Sequence, residues 1–300
     1  MNAPLRTDAT WRALVLGLPW LWLLLLGLAP LGLAVAISFG TASEGAPPYD
    51  PPLAWSADGL RVAPSLESYA LVVGDDLYVV AFFNSLRVAG LATLLCLAIG
   101  YPMALAIARA PAPRRPLLLL FVMLPFWTSF LVRVYAWTTL LRPTGIINTA
   151  LLAAGAIDAP LELFASEPAM LIGIVYSYLP FMVLPLALSI ERVDPDVLAA
   201  AADLGARPRT VLLRILVPLT WPGIVAGSAL VFVPAAGEFV IPDLLGPSDT
   251  PMIGRILWNE FFANRDWPAA SMIAVLLLVV LVLPVAAIQR AAARAERGVR

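Results

Sequence analysis

Residues 196–224, "DVLAAAADLGARPRTVLLRILVPLTWPGI", separate two hydrophobic stretches that are each long enough to cross a bilayer. The polar edges, the central glycine and the closing prolines do not suit a spanning helix. Asp194 can cap a helix with Pro195 at its first position, and "DVLAAAADL" continues it with good helix formers until Gly205 supplies a left-handed stop. Pro208 can start a second helix in which Val211, Leu212, Ile215 and Leu216 share one face and Arg207, Arg209 and Arg214 lie elsewhere, before Pro218 and Pro222 end it. The segment therefore reads as two short amphipathic helices meeting at a glycine. Two uses fit: a membrane-surface hairpin that only joins two spans, or a unit that lies against another protein.

The surrounding chain is a polytopic membrane protein by composition. Hydrophobic residues make up 61% of its 300 and charged residues 13%, outside the range of a water-soluble domain. There are no histidines, the formal net charge is -1, and all 19 basic residues are arginine, which sets aside a nucleic-acid surface and a histidine metal site. Cys96 is the single cysteine and lies in an apolar run, so no internal disulfide is possible and no metal site is expected. No catalytic residues are expected, because HExxH and Ser/His constellations are absent, and no Walker motif occurs for nucleotide binding.

Six stretches have the length and apolarity of a span: 13–38, 79–108, 117–141, 170–190, 223–246 and 269–289. The first is too long for a signal peptide and reads as a retained helix. An all-α protein with six transmembrane helices places both termini on one side. Thirteen arginines fall in the loops and ends of that side, against Arg61, Arg142, Arg255 and Arg265 on the other, so the termini and residues 192–222 are expected in the cytoplasm. The organisation expected is a single transmembrane domain over 1–300, with a first span at 13–38, a periplasmic loop at 39–78 and a core region at 79–290. In the outer loops, "GAPPYDPPLAWSADG" is proline-rich, "SLESYALVV" suits a short surface helix, and "PTGIINTALLAAGAI" opens with Thr144 placed as an N-cap. No internal repeat is visible.

The cytoplasmic segment resembles the signature loop of binding-protein-dependent ABC importer permeases: E-A-A, three residues, G, nine residues, I, two more, P. Ala200, Ala201, Gly205, Ile215 and Pro218 fall on that pattern, with Ala206 following the glycine. Ala199 stands where the family has glutamate, which leaves Asp196 and Asp203 as the carboxylates that could meet a partner. "FWTSFLVRVYAW", "GEFVIPDLLG" and "FFANRDWP" are similar to segments of the permease subunits of putrescine and spermidine importers. The resemblance implies the ABC type I importer permease fold in a bacterial inner membrane. It also implies a second, different permease chain, two cytoplasmic ATPase subunits and a periplasmic substrate-binding protein. The loop would then be the coupling loop, with ATP and Mg bound by the ATPase and no cofactor on this chain.

Ionisable groups at membrane depth mark function or a paired structural site. Arg87, Arg133 and Glu238 are expected at similar depth in spans two, three and five. One reading has Glu238 neutralising Arg87 or Arg133 in the bundle. The other has Glu238 facing the pathway and offering its carboxylate to a substrate ammonium, with Trp127, Tyr135 or Trp137 adding cation–π contacts. Asp243, on the same segment as Glu238, joins the pathway set. Pro234, Gly237 and Pro242 bracket Glu238, so its helix is expected to be kinked or unwound there. Thirteen carboxylates against four arginines in the outer loops would favour a cation at the entrance. "NRDW", residues 264–267, reads as a docking or gating turn or as an ion-paired loop. The leading function is a permease for a small cation, a polyamine by resemblance. The alternatives are another solute of the same transporter class (an amino acid, an anion or a chelated metal) and a gradient-driven carrier.

Overall fold

A computed structural model describes residues 9–56 and 59–298. Helix α1 (Ala9–Leu23) runs through a π-helical turn (Leu24–Leu28) into α2 (Ala29–Ser38). Two antiparallel ladders follow, β1 (Thr41–Ala42) with β2 (Tyr49–Asp50) and β3 (Leu53–Ser56) with β4 (Gly59–Val62). These strands occupy the proline-rich segment that follows α2 and were not legible in its composition. Pro48 and Pro51 bound β2, and a residue that cannot donate a ladder hydrogen bond keeps such pairings short. Helix α3 (Glu67–Gly74) is the expected surface helix, its first N–H held by the Ser65 hydroxyl at 3.1 Å.

Next come α4 (Asp76–Arg109), α5 (Arg115–Met123) with a 3-10 turn (Leu124–Trp127), α6 (Phe130–Leu141), α7 (Ile146–Ala153) and α8 (Glu167–Glu191). The segment of residues 192–222 contains α9 (Pro195–Asp203), α10 (Pro208–Val211), a π-helical turn (Leu212–Leu216) and α11 (Val217–Leu219). The chain ends with α12 (Trp221–Ala236), α13 (Val240–Leu245), α14 (Ile253–Phe262) and α15 (Trp267–Gly298). Thr144 does not cap α7. Gly145 does, in an extended conformation that brings it within 2.6 Å of the Thr139 carbonyl at the position a Cβ would take, so only glycine fits the turn.

Among the described residues three helices are long and apolar enough to span a membrane: residues 15–38, α4 and α8. The third expected span is not one helix, because α5 and its 3-10 turn meet α6–α7 at 87° where Thr128 becomes extended. The fifth, expected over 223–246, is also interrupted, because α12 stops at Ala236 before α13 begins; ahead of it α10–α11 meet α12 at 71°. Counting each bent pair as one span gives up to five, with residues 267–283 forming a shorter apolar helix.

The chain divides into two compact units. In the unit of residues 1–76 and 257–300, α15 packs against α2 and α3. Trp267 stacks on Phe261 at 5.0 Å and on Tyr49 at 6.0 Å, and the Ser38 hydroxyl meets Tyr69 Oη at 2.8 Å. The "NRDW" turn starts α15: Asp266 accepts from Ala269 N–H at 2.9 Å, while Asn264 donates to Glu260 at 2.9 Å. The apolar side chains of residues 15–33 stay largely exposed, as suits contact with lipid or a partner helix.

In the unit of residues 77–256, α8 packs along α12, and glycines make the approach possible. A Cβ on Gly227 would lie 2.8 Å from Met182 Sδ, and one on Gly223 would meet Ser189 and Pro185. Gly173 of α8 similarly admits Ile241 and Leu245 of α13. Ser85 of α4 accepts from the Ile253 N–H at 2.8 Å, and Tyr101 Oη meets Thr220 Oγ1 at 2.9 Å beside the 71° bend.

Candidate functional site

The break between α12 and α13 faces a cavity of about 430 Å³ lined by Phe126, Phe130 and Arg133 on one side and Ser177, Tyr178 and Phe181 of α8 on another. Pro234, Gly237, Glu238, Phe239 and Val240 complete the lining. The backbone is irregular here for the reason the sequence suggests, since Pro234 and Gly237 weaken α12 and residues 237–239 leave the helix. The freed amides are satisfied by Glu238 itself. Its Oε1 accepts from the N–H groups of Phe239, Val240 and Ile241 at 3.2, 3.0 and 3.4 Å, and Tyr178 Oη donates to Oε2. Glu238 is 7% exposed, and its carboxylate caps the N-terminus of α13, where the amide dipoles favour a negative charge.

Glu238 therefore neutralises neither arginine. Arg87 is bound bidentately by Glu167, at 2.8 and 2.9 Å, in a partly exposed pair, so it is not brought to the cavity. Arg133 does line the cavity, but it makes no ion pair among the described residues. Its guanidinium carbon sits 5.2 Å from the Phe126 ring centroid and 5.7 Å from that of Phe130, and its buried Nε and Nη1 have no hydrogen-bond partner.

The aromatic residues chosen from sequence are not those of the cavity. Trp127 is 76% exposed and Tyr135 57%, and Trp137 packs edge-on against Tyr176 at 5.5 Å. The cavity instead uses Phe126, Phe130, Tyr178 and Phe181. Phe126 and Phe130 flank the chosen Trp127 in "FWTSF", and Tyr178 and Phe181 stand one helical turn apart on α8. Asp243 lies outside the cavity and pairs with Arg255 at 3.0 Å.

The segment of residues 192–222 forms the cap, first turn and glycine stop read from its sequence, while its second helix carries a π-helical turn at Leu212–Leu216. Asp194 accepts from the Asp196 N–H at 3.0 Å with Pro195 at the first helical position. Gly205 has φ of +77°, and the bonds Ala206 N–H to Ala201 C=O (3.0 Å) and Gly205 N–H to Ala202 C=O (2.9 Å) form a complete Schellman stop. Ala201 and Leu216 are buried and Ile215 is half-buried, so these positions hold the segment to its own unit. Asp196, Ala200, Asp203, Leu204 and Pro218 are exposed, and Ala206 borders a second cavity of about 430 Å³ shared with Arg109 and Arg209. Val197 and Leu204, at 45% and 89% exposure, give the first helix and its end an uncovered apolar surface.

The chain belongs to the family of binding-protein-dependent transport system inner membrane components, which it matches over residues 97–298. It is 40% identical over 262 residues to the spermidine/putrescine transport system permease protein PotB of Haemophilus influenzae, covering 87% of each chain. The Escherichia coli protein of the same name is 38% identical over 260 residues, covering 87% of this chain and 90% of that one. The fold is shared with a chain of the bacterial alginate ABC transporter crystallised in complex with alginate pentasaccharide-bound periplasmic protein, at a TM-score of 0.66 and 18% identity over 93% of both chains.

Proposed function

We propose that this chain is one permease subunit of an ATP-driven ABC importer, forming half of the pathway for a small cationic solute, a polyamine such as putrescine or spermidine. The observation that carries the reading is the 40% identity to a spermidine/putrescine permease over 87% of both chains. Six spans follow when each bent pair counts as one and the shorter apolar helix of residues 267–283 as the last, and the arginine asymmetry then orients both termini to the cytoplasm of a bacterial inner membrane. The partners are a second permease of different sequence, two cytoplasmic ATPase subunits that bind ATP and Mg, and a periplasmic substrate-binding protein.

In this arrangement the segment of residues 192–222 couples ATPase closure to the spans. Asp196, Ala200, Asp203 and Gly205, with the exposed Val197 and Leu204, present the docking surface, while Ala201, Ile215 and Leu216 hold the segment beneath the bundle. Glu238 keeps the α12–α13 break open beside the pathway. The test is hydrolysis by the purified four-subunit complex with its binding protein. Putrescine-loaded binding protein is expected to stimulate ATP hydrolysis, because docking acts by favouring one conformation of the spans. Hydrolysis indifferent to the loaded binding protein would overturn the assignment.

A further inference from the structure

The two charged groups of the α12–α13 cavity are in opposite conditions. Glu238 is fully engaged, by three backbone amides and Tyr178. Arg133 is held by ring faces, while its buried Nε and Nη1 have no acceptor. Aromatic quadrupoles attract a cation, but buried donors that have lost water without gaining a partner oppose the placement. The Phe126–Phe130 wall thus already holds a cation, and that cation loses few hydrogen bonds when it leaves.

The aromatic surface continues beyond Arg133. Phe181 stands edge-on to Phe126 at 5.1 Å and 84°, and tilted to Tyr178 at 6.2 Å, which leads to the Glu238 carboxylate. We infer that the Phe126–Phe130 wall is a cation seat of the solute pathway, and that Arg133 occupies it as a tethered stand-in until a solute ammonium displaces it. The inference rests on the amine-transport reading and places one contact within it. The seat takes a terminal ammonium, the Phe181 and Tyr178 rings line the alkyl chain, and the field of Glu238 acts across the same space. A linear diamine or polyamine fits these requirements, and the cavity volume falls within the roughly 300–1,000 Å³ of small-ligand sites.

The test uses the assembled transporter in proteoliposomes, with assembly checked by gel filtration. Arg133→Met keeps an unbranched apolar stem but removes the competing guanidinium from the rings, so the apparent KM for putrescine is expected to fall about 3- to 10-fold. Phe126→Leu with Phe130→Leu removes the seat and is expected to raise it by about the same factor. A higher KM in Arg133→Met, as expected if Arg133 itself grips a solute anion, or an unchanged KM in the phenylalanine variant, overturns the seat. If Arg133→Met does not assemble, the phenylalanine variant decides. If the wild-type complex moves no amine, the proposed function fails and the seat is tested separately by the melting temperature of the detergent-purified complex with butylguanidinium. The seat requires a larger rise in Arg133→Met than in wild type and none in the phenylalanine variant; equal rises, or none, overturn it.

Discussion

Replacing Glu238 by glutamine separates the cap seen at the α12–α13 break from the arginine pairing expected of a buried acid. Glutamine keeps a carbonyl oxygen for the three amides and an NH₂ group that can donate to Tyr178, so shape and bond count survive while charge is lost. Hydrogen bonds to a charged group contribute about 1 kcal/mol more than neutral ones, and two of the four here are well formed, Val240 N–H at 3.0 Å and Tyr178 Oη, giving an expected cost of about 2 kcal/mol. A broken buried ion pair would cost about 3 to 5 kcal/mol. The assay is equilibrium unfolding of the purified chain in mixed micelles, run as a double-mutant cycle with Tyr178→Phe. Because the two side chains share one bond, the double variant is expected to fall short of additivity by about 1 kcal/mol or more. Additivity between Glu238→Gln and Tyr178→Phe, or recovery of stability on adding Arg133→Gln or Arg87→Gln, would refute the cap.

Three further changes probe other parts of the account. Gly205→Val should abolish ATP-dependent uptake while the chain still inserts, because φ of +77° excludes a β-branched residue, whereas Gly205→Asn, which tolerates that backbone, should retain uptake; equal activity of the two would remove the coupling role. Ser85→Ala strands the Ile253 N–H and is expected to lower unfolding stability by about 1 to 3 kcal/mol, and no change would show that the amide finds another acceptor. Gly227→Ala drives a methyl to 2.8 Å from Met182 Sδ and 3.1 Å from its carbonyl, an overpacking cost of about 1 to 3 kcal/mol, which Met182→Ala in the same chain should partly relieve.

The segment of residues 192–222 was legible because its signals are local. Asp194, Pro195 and Gly205 dictate a cap, a first turn and a stop within a dozen residues, and the structure forms each of them. The unwinding at Glu238 was legible for the same reason, from Pro234 and Gly237. What Glu238 touches was not, since Tyr178 stands 60 residues away and a tyrosine in an apolar helix carries no mark of its partner. Phe126 and Phe130, rather than Trp127, Tyr135 and Trp137, line the cavity, and the break at Thr128 between the 3-10 turn and α6 upsets the helical register from which that face could be read. The 87° bend escaped notice because Pro125 sits inside a run whose length and hydropathy otherwise satisfy a single span.

The central claim, that this chain is half of an ATP-driven polyamine pathway, is tested most directly by uptake of labelled putrescine into proteoliposomes. These would contain this chain, its partner permease, the ATPase and Mg-ATP on the ATPase side, with the binding protein on the other. The account predicts accumulation against a gradient that requires ATP, the binding protein and this chain together. Uptake that persists without ATP or the ATPase, or a complete reconstitution that moves no polyamine, would contradict it.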